Sequence, residues 1–342
     1  MFRFRETEKT TLVPIGCCHL VVLWSSFFLT VALVKKGEYS MEPSATTHRK
    51  KDSPLRLLTA GLLYLSPMLI ILSAFTFYPM LKTLYYSFFT TNARGVPVMF
   101  VGFDNYAGLF QSDSFLTSMI GTFLFVLYTV PLGVAFAFFL AVISSEKLRG
   151  IEFFRVIFSS TVGVSVAAGS MIFLFLFHPS IGFLNHVLDW VGLPPIHWLT
   201  DPKWALISIA ATSIWMGVGF NYIILLGGLQ SIPEDIYESA RIDGAGYWSR
   251  LFRITLPMVS PTLFFVIIVT VIHSFQSFGQ IDILTKGGPA ESTNLIVYSI
   301  YQNAFIHYKF GIASAQAIIL FLIVLLATLI QFKVGEKKVH YQ

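Results

Sequence analysis

Apolar runs long enough to cross a bilayer alternate with short polar connectors along most of the chain. A membrane-crossing helix needs roughly 20 mostly apolar residues. Six stretches qualify: 57–81, 115–143, 153–177, 205–229, 258–281 and 312–332. A seventh, shorter run at 17–34 is followed by the polar stretch KKGEYSMEPSATTHRKKDSP. The pattern predicts an all-α polytopic membrane protein in two parts. Residues 1–54 form an N-terminal extension and basic leader, and 55–342 form a transmembrane domain interrupted by one hydrophilic loop at 230–257.

Composition agrees with this reading. Of 342 residues, 55% are hydrophobic and only 12% charged, against roughly a quarter charged in soluble domains. Two adjacent cysteines, Cys17 and Cys18, cannot build a disulfide framework or a four-ligand metal site. The net charge of +5 does not point to nucleic acid, because the basic residues cluster beside apolar runs, which is a topology signal. With six spans, one side holds Lys35, Lys36, Arg49, Lys50, Lys51, Arg56, Lys147, Arg149, Arg155, Arg241, Arg250, Arg253, Lys333, Lys337 and Lys338. The other holds only Lys82, Arg94, Lys203, Lys286 and Lys309. The positive-inside rule therefore puts the leader, the 230–257 loop and the C-terminus in the cytoplasm.

The N-terminus fits this plan poorly. Arg3, Arg5 and Lys9 before an apolar run resemble a signal peptide, yet no small-residue cleavage site follows Val34. A span at 17–34 would place the basic N-terminus outside. A polar, basic leader begins at Met41, which is the translation start expected here, with 1–40 then untranslated. The GCCH tetrapeptide precedes its apolar run, unlike a lipoprotein signal, and reads as structural.

Candidate chemistry is notable for what the spans lack. None of the six cores holds Asp, Glu, Lys or Arg well inside it; His273 is the one ionisable group there, and Asp282 lies at the outer end of its run. Ion-coupled carriers usually keep such groups as relays. No Gly-rich loop ends in Lys followed by Ser or Thr, since in TKGGPAEST the Lys precedes the glycines. No cluster of carboxylates, His or Ser suits a membrane-embedded enzyme, so no catalytic residue is assigned. His178, His186 and His197 are too irregularly spaced for a metal site. An ion-coupled secondary carrier or channel stays open as the alternative, but the chain has no visible energy source, and the hydrophilic loop becomes the candidate docking site for one.

That loop contains YESARIDGAGYWSRLFRITLP. Ser231 and Glu234 have capping-box spacing, and Pro233 suits a first helical turn. Ile236, Tyr237 and Ala240 recur near helical spacing until Gly244, which can take the left-handed conformation that closes a helix. Tyr247, Leu251 and Ile254, with Trp248 and Phe252 beside them, predict a second surface helix that ends at Pro257, where the fifth span begins.

The loop resembles the coupling loop of ABC importer permeases, in which Glu-Ala-Ala is followed after three residues by Gly and after nine more by Ile-x-Leu-Pro. Glu238, Ser239, Ala240, Gly244, Ile254, Leu256 and Pro257 fill those places, with Asp243 and Ala245 completing an Asp-Gly-Ala core; only Ser239 departs from the pattern. The segment FVGFDNYAGLF from Phe100 and TKGGP from Thr285 are similar to segments of carbohydrate importer permeases of the maltose and glycerol-3-phosphate type. The last spans and the ending VHYQ look most like the A-type permease subunits of glycerol-3-phosphate importers.

The resemblance covers nearly all of 55–342. It implies a six-helix type I permease core in the inner membrane of a prokaryote, for a carbohydrate or sn-glycerol 3-phosphate. It implies a second permease subunit as heterodimer partner, two ATP-binding subunits that hold the ATP, and an extracytoplasmic solute-binding protein. The chain itself would then carry no cofactor and no catalysis. Glu238 and Asp243 would meet the ATPase, Gly244 would set the bend, and Pro257 would pass movement to the fifth span. The implied solute path lies on the flanking spans: Ser213, Met216, Gly217, Phe220 and Asn221 on the fourth, and His273, Ser274 and Ser277 on the fifth, near Gln276 and Gln280. Such stripes serve equally as helix glue, and His273 could be neutral or cationic. Trp215 and Phe275 are candidates for stacking against a sugar. Outside the membrane, 178–204 predicts an amphipathic interfacial helix and a Pro-closed turn, with Trp190, Trp198 and Trp204 at the boundary, as a candidate receiving surface for the binding protein.

Overall fold

A computed structural model describes residues 54–146 and 149–335, with side chains from Leu63 onward. The expectations for the 17–34 run, the Met41 start and the cysteine pair fall outside these residues. Among the described residues, five helices are long and apolar enough to cross a membrane, and a bent helix pair supplies a sixth.

The first span joins α1 (Pro54–Leu72) to α2 (Tyr78–Tyr86) through a π-turn at Ser73–Phe77. The fifth repeats the device: α10 (Tyr247–Arg250) runs through a π-turn at Leu251–Thr255 into α11 (Leu256–Phe275). In both, a proline, Pro79 or Pro257, stands two residues beyond the π-turn. Proline removes an i→i−4 bond and crowds the preceding turn; one widened turn keeps the helix continuous, with Leu256 donating to the Leu251 carbonyl five residues back. The second loop helix is therefore not separate from the fifth span. The Pro257 boundary expected from sequence lies inside one unbroken helix from Tyr247 to Phe275.

Spans two and four, α4 (Asp113–Ser145) and α8 (Pro202–Gln230), form the centre of the bundle. Small residues on α4, Ala137 and Ala141, let the backbones approach, and Val218, Tyr222 and Leu225 of α8 and Val259 and Val266 of α11 complete that core. The last span, α14 (Phe310–Gly335), closes on α11 through Phe332 against Phe264.

The 153–177 stretch is not one straight span. It comprises α5 (Ile151–Ser159), a 3-10 turn at Ser160–Gly163 and α6 (Val166–Leu176), with the two arms meeting at 105°. Val164 and Ser165 are extended, and the Ser165 hydroxyl accepts from the Ala168 N–H, starting a new helix in mid-membrane. The pair still crosses. Its contacts climb α8 from Phe158 against Tyr222, through Thr161 against Gly219 and Phe173 against Trp215, to Phe177 against Trp198 just before α8. A re-entrant loop would return to the end where it began.

The 258–281 stretch also breaks. α11 stops at Phe275, residues 276–278 turn, and the short α12 (Gly279–Leu284) follows. Asp282 sits on α12 beside Tyr298 of α13 (Ile296–Tyr301); burial, and then that carboxylate, hold the Tyr298 hydroxyl above its usual range.

At the end of the bundle where α2 finishes and α14 starts, β1 (Phe89–Thr91) and β2 (Pro97–Phe100) pair antiparallel, followed by α3 (Asp104–Phe110). The 178–204 segment holds the expected short helix, α7 (Phe183–Trp190), and its turn is fastened by Asn185, which accepts from the Ile196 N–H and Trp198 Nε1 and donates to the Pro179 and Ile196 carbonyls.

Candidate functional site

Two sites lie at different depths of the same helices. The first is the loop after α8. Ser231 ends α8 and donates its hydroxyl to the Gly228 carbonyl, so the expected capping box does not form. Instead Pro233 directly precedes α9 (Glu234–Ile242). At the other end Gly244 is left-handed, with φ of +78°, and the Ala245 N–H reaches back to the Ala240 carbonyl at 2.9 Å. This six-to-one bond is the Schellman closure that needs glycine at that place.

The amphipathicity of α9 decides what faces outward. Ala240 is buried, and Tyr237 packs among Ile232 and Leu251 with its hydroxyl 3.0 Å from Thr255 Oγ1 at the root of the fifth span. Glu238, Ser239, Asp243 and Gly244 are exposed, while Ala245, Ile254, Leu256 and Pro257 are half-buried. The loop is thus fixed to the fifth span on one face and exposes Glu238, Ser239 and Asp243 on the other. Behind it lies a cleft of about 820 Å3, where Arg149 and Arg155 from the α4–α5 side face Glu238, Arg241 and Arg250. Arg155 spans that corner, donating to the Ser144 carbonyl at 2.8 and 3.1 Å and to Glu152 at 3.0 Å.

The second site is a cavity of about 710 Å3 inside the bundle, where both helix breaks meet. All eight residues predicted from sequence line it: Ser213, Met216, Gly217, Phe220, Asn221, His273, Ser274 and Ser277. Val164 and Val166 at the third-span break and Gln276, Phe278 and Gly279 at the fifth-span break complete the wall. His273 is the one ionisable residue in that lining, and its side chain is exposed into the cavity.

The polar members divide by partner. Ser274 Oγ lies 2.9 Å from Thr129 Oγ1, Asn221 Oδ1 accepts from Thr270 Oγ1 at 3.2 Å, and Ser277 donates to Gln280 Oε1 at 3.1 Å. These bonds join helices. Ser213 Oγ and Gln276 Nε2 are buried with no hydrogen-bond partner among the described residues. Buried polar groups are nearly always paired, so these two are the groups left for something else to satisfy.

Sequence reasoning missed Thr129, Thr161 and Thr270, which also line the cavity. Thr129 and Thr270 hide because each hydroxyl also bonds the carbonyl four residues back in its own helix, at 2.8 and 2.7 Å, an arrangement that leaves the run looking merely apolar. Trp215 and Phe275 are not in the lining; they pack on Phe173 and Phe123 instead.

Residues 105–339 match the family described as "Binding-protein-dependent transport system inner membrane component". The chain is 34% identical over 282 residues to the sn-glycerol-3-phosphate transport system permease protein UgpA of Agrobacterium fabrum, covering 82% of this chain and 95% of that protein. A protein of the same name from Yersinia pestis bv. Antiqua is 34% identical over 277 residues, covering 81% and 94%. Among solved structures, a subunit of a bacterial alginate ABC transporter in complex with an alginate pentasaccharide-bound periplasmic protein superposes with a TM-score of 0.71 at 25% identity, covering 82% of this chain and 94% of that one.

Proposed function

The chain belongs to the family of binding-protein-dependent transport system inner membrane components, and on that premise we propose that it forms one half of the translocation path for a carbohydrate or sn-glycerol 3-phosphate. It does no chemistry itself. Two cytoplasmic subunits bind and hydrolyse ATP, a second permease subunit completes the path, and a binding protein delivers solute from outside. The chain sits in the inner membrane of a prokaryote with its C-terminus and the 230–257 loop in the cytoplasm, a reading supported by the excess of Lys and Arg on that side.

One observation carries this reading: a single unbroken helix, Tyr247 to Phe275, connects the exposed loop to the cavity wall at His273 and Ser274. The Gly244 closure makes α9 a compact lever, and the bond from Tyr237 to Thr255 couples that lever to the root of the helix. When the ATPase moves α9 through Glu238 and Asp243, the fifth span moves as a rigid body and carries the cavity wall with it. ATP binding turns the cavity outward and hydrolysis resets it. The solute class rests on the likeness to the glycerol-3-phosphate permeases and the alginate transporter.

The test is purification from the native membrane followed by reconstitution. A nucleotide-binding subunit and a second permease should copurify, and binding protein loaded with glycerol 3-phosphate or an oligosaccharide should stimulate ATP hydrolysis in vesicles. Uptake by this chain alone, driven by an ion gradient, would establish the carrier alternative instead.

Within the cavity, Ser213→Ala and Gln276→Leu separate binding from packing. Removing an unsatisfied buried group leaves stability unchanged or higher, while losing a solute hydrogen bond of about 1.4 kcal/mol raises KM about tenfold. The expected result is a raised KM at undiminished thermal stability. An unchanged KM in both variants removes these two groups from the path.

A further inference from the structure

We infer that the β1–β2 hairpin and the start of α3 form an interfacial wedge that rests in the lipid headgroup boundary at the end of the bundle opposite α9, the outer leaflet in the orientation given above. The wedge lies outside every membrane span and outside the coupling and solute sites.

The first reason is the exposure of β2. Met99 pairs with Thr90 and Phe100 with Phe89, so the two side chains point to opposite faces of the two-stranded sheet. Met99 is 59% and Phe100 66% exposed. Each face of the blade therefore carries an exposed apolar side chain, Met99 opposite Thr90 on one and Phe100 against Phe89 on the other. A docking protein covers one face of such a blade, whereas immersion covers both. Phe103, 72% exposed, and Val98, 68% exposed, extend the same surface as far as Asp104, the exposed carboxylate that opens α3 and marks its polar border. An apolar surface of this kind does not stay in water unassigned.

The second reason fixes the depth. Tyr85 at the end of α2 packs against Phe89, the rings tilted and their centroids 4.5 Å apart, Phe89 meets Phe100 at 5.3 Å, and Phe88 meets Phe103 at 5.4 Å. Lys82 Nζ sits 5.4 Å from the Tyr86 ring. Aromatic rings joined to a basic residue at the end of a span mark the membrane–water interface, and the hairpin continues directly from that ring of aromatics. The edge of β1 is occupied, since Asn105 Nδ2 donates to the Ser87 and Phe89 carbonyls and Thr91 Oγ1 accepts from the Gly311 N–H. The open edge of β2 keeps backbone groups that hydrocarbon cannot satisfy, so the blade lies at headgroup depth and not in the core. Its tip is polar: Asn92 Oδ1 accepts from the Arg94 and Val96 N–H groups, which holds Ala93 and Arg94 toward water.

The wedge has a mechanical role. It ties the end of α2 to the start of α14 through the Asn105 and Thr91 bonds, and gives both a fixed level in the membrane while other spans move.

The test uses the full chain with Cys17 and Cys18 changed to Ser and one bimane-labelled cysteine, at Met99→Cys, Phe100→Cys or the tip control Ala93→Cys. The assembled protein is placed in vesicles of phosphatidylcholine brominated high on the acyl chains. Emission at both 99 and 100 should fall by about half or more, as expected for side chains seated roughly 5–10 Å into the boundary, with little quenching by aqueous iodide. Position 93 should show the reverse. Iodide access at 99 and 100 equal to that at 93, shielding from both quenchers, or bromine quenching on one face only would each overturn the wedge, the last two indicating a protein partner. The readout requires membrane insertion alone, so it stands whether or not the transport reading holds.

Discussion

Gly244→Val should abolish transport-linked ATP hydrolysis while leaving a membrane-inserted protein. A Cβ at Gly244 meets nothing within 4 Å, so the added side chain has room; the obstacle is the backbone φ of +78°. A left-handed residue other than glycine costs roughly 1–2 kcal/mol, and a β-branched side chain more. That strain falls on the bond from Ala245 to the Ala240 carbonyl, which closes α9. If the loop relaxes to another turn, α9 no longer holds one orientation against the ATPase. Stimulated hydrolysis should fall about tenfold or more, in line with a loss above 1.4 kcal/mol. Gly244→Asn is the informative companion, because Asn accepts left-handed geometry and should retain most coupling. Vesicle assays at matched protein levels decide the matter. A Val variant that couples normally removes the lever role from Gly244.

The second large effect is expected at Gly219, where the bend of the third span touches α8. The Gly219 N–H donates to Thr161 Oγ1 at 3.0 Å, and a Cβ there would lie 3.1 Å from the Val162 backbone nitrogen as well as against the Thr161 hydroxyl. Backbone cannot swing aside as a side-chain tip can. Gly219→Leu therefore has to push the 3-10 turn off α8, an overpacking cost of about 1–3 kcal/mol or more, and it displaces the wall of the cavity along with it. The expected outcome is a sharp drop in thermally stable, assembled protein, with transport lost in what remains. Gly227→Ala, at a helical glycine whose added Cβ meets nothing within 4 Å, should be neutral or stabilising by about 0.5–1 kcal/mol. Wild-type assembly and transport in Gly219→Leu would show that the bend is held by other contacts.

Both predictions concern places that sequence reading treated unequally. Gly244 was legible because its conformation is a property of the chain itself: an amphipathic run ends, and a residue free to take positive φ follows. Gly219 was not, because nothing in its own helix requires it; the requirement comes from Thr161 and Val162 in another span. Of the eight residues assigned to the solute path, Ser213, Gly217, Asn221, His273, Ser274 and Ser277 were found as polar or small positions on two spans, with Met216 and Phe220 beside them. The breaks that let them converge were not, although SVAA after Gly163 and QSFG after Phe275 carried a faint signal in their Ser and Gly. The capping box failed for a related reason. Ser231 and Glu234 have the right spacing, but Ser231 caps the end of α8, with its hydroxyl bonded back into that helix, and Pro233 takes the N-cap place of α9.

The sequence by itself determined the all-α polytopic plan, the approximate number of spans and the closure of α9, because each depends on local quantities: apolar length against bilayer thickness, and backbone freedom at one glycine. Only the tertiary structure decided where the third and fifth spans break, that Tyr247 to Phe275 is one helix, and which hydroxyls face the cavity. Those outcomes depend on contacts between segments far apart in the chain, and in a nearly uniform apolar sequence the choice among such contacts leaves almost no local trace.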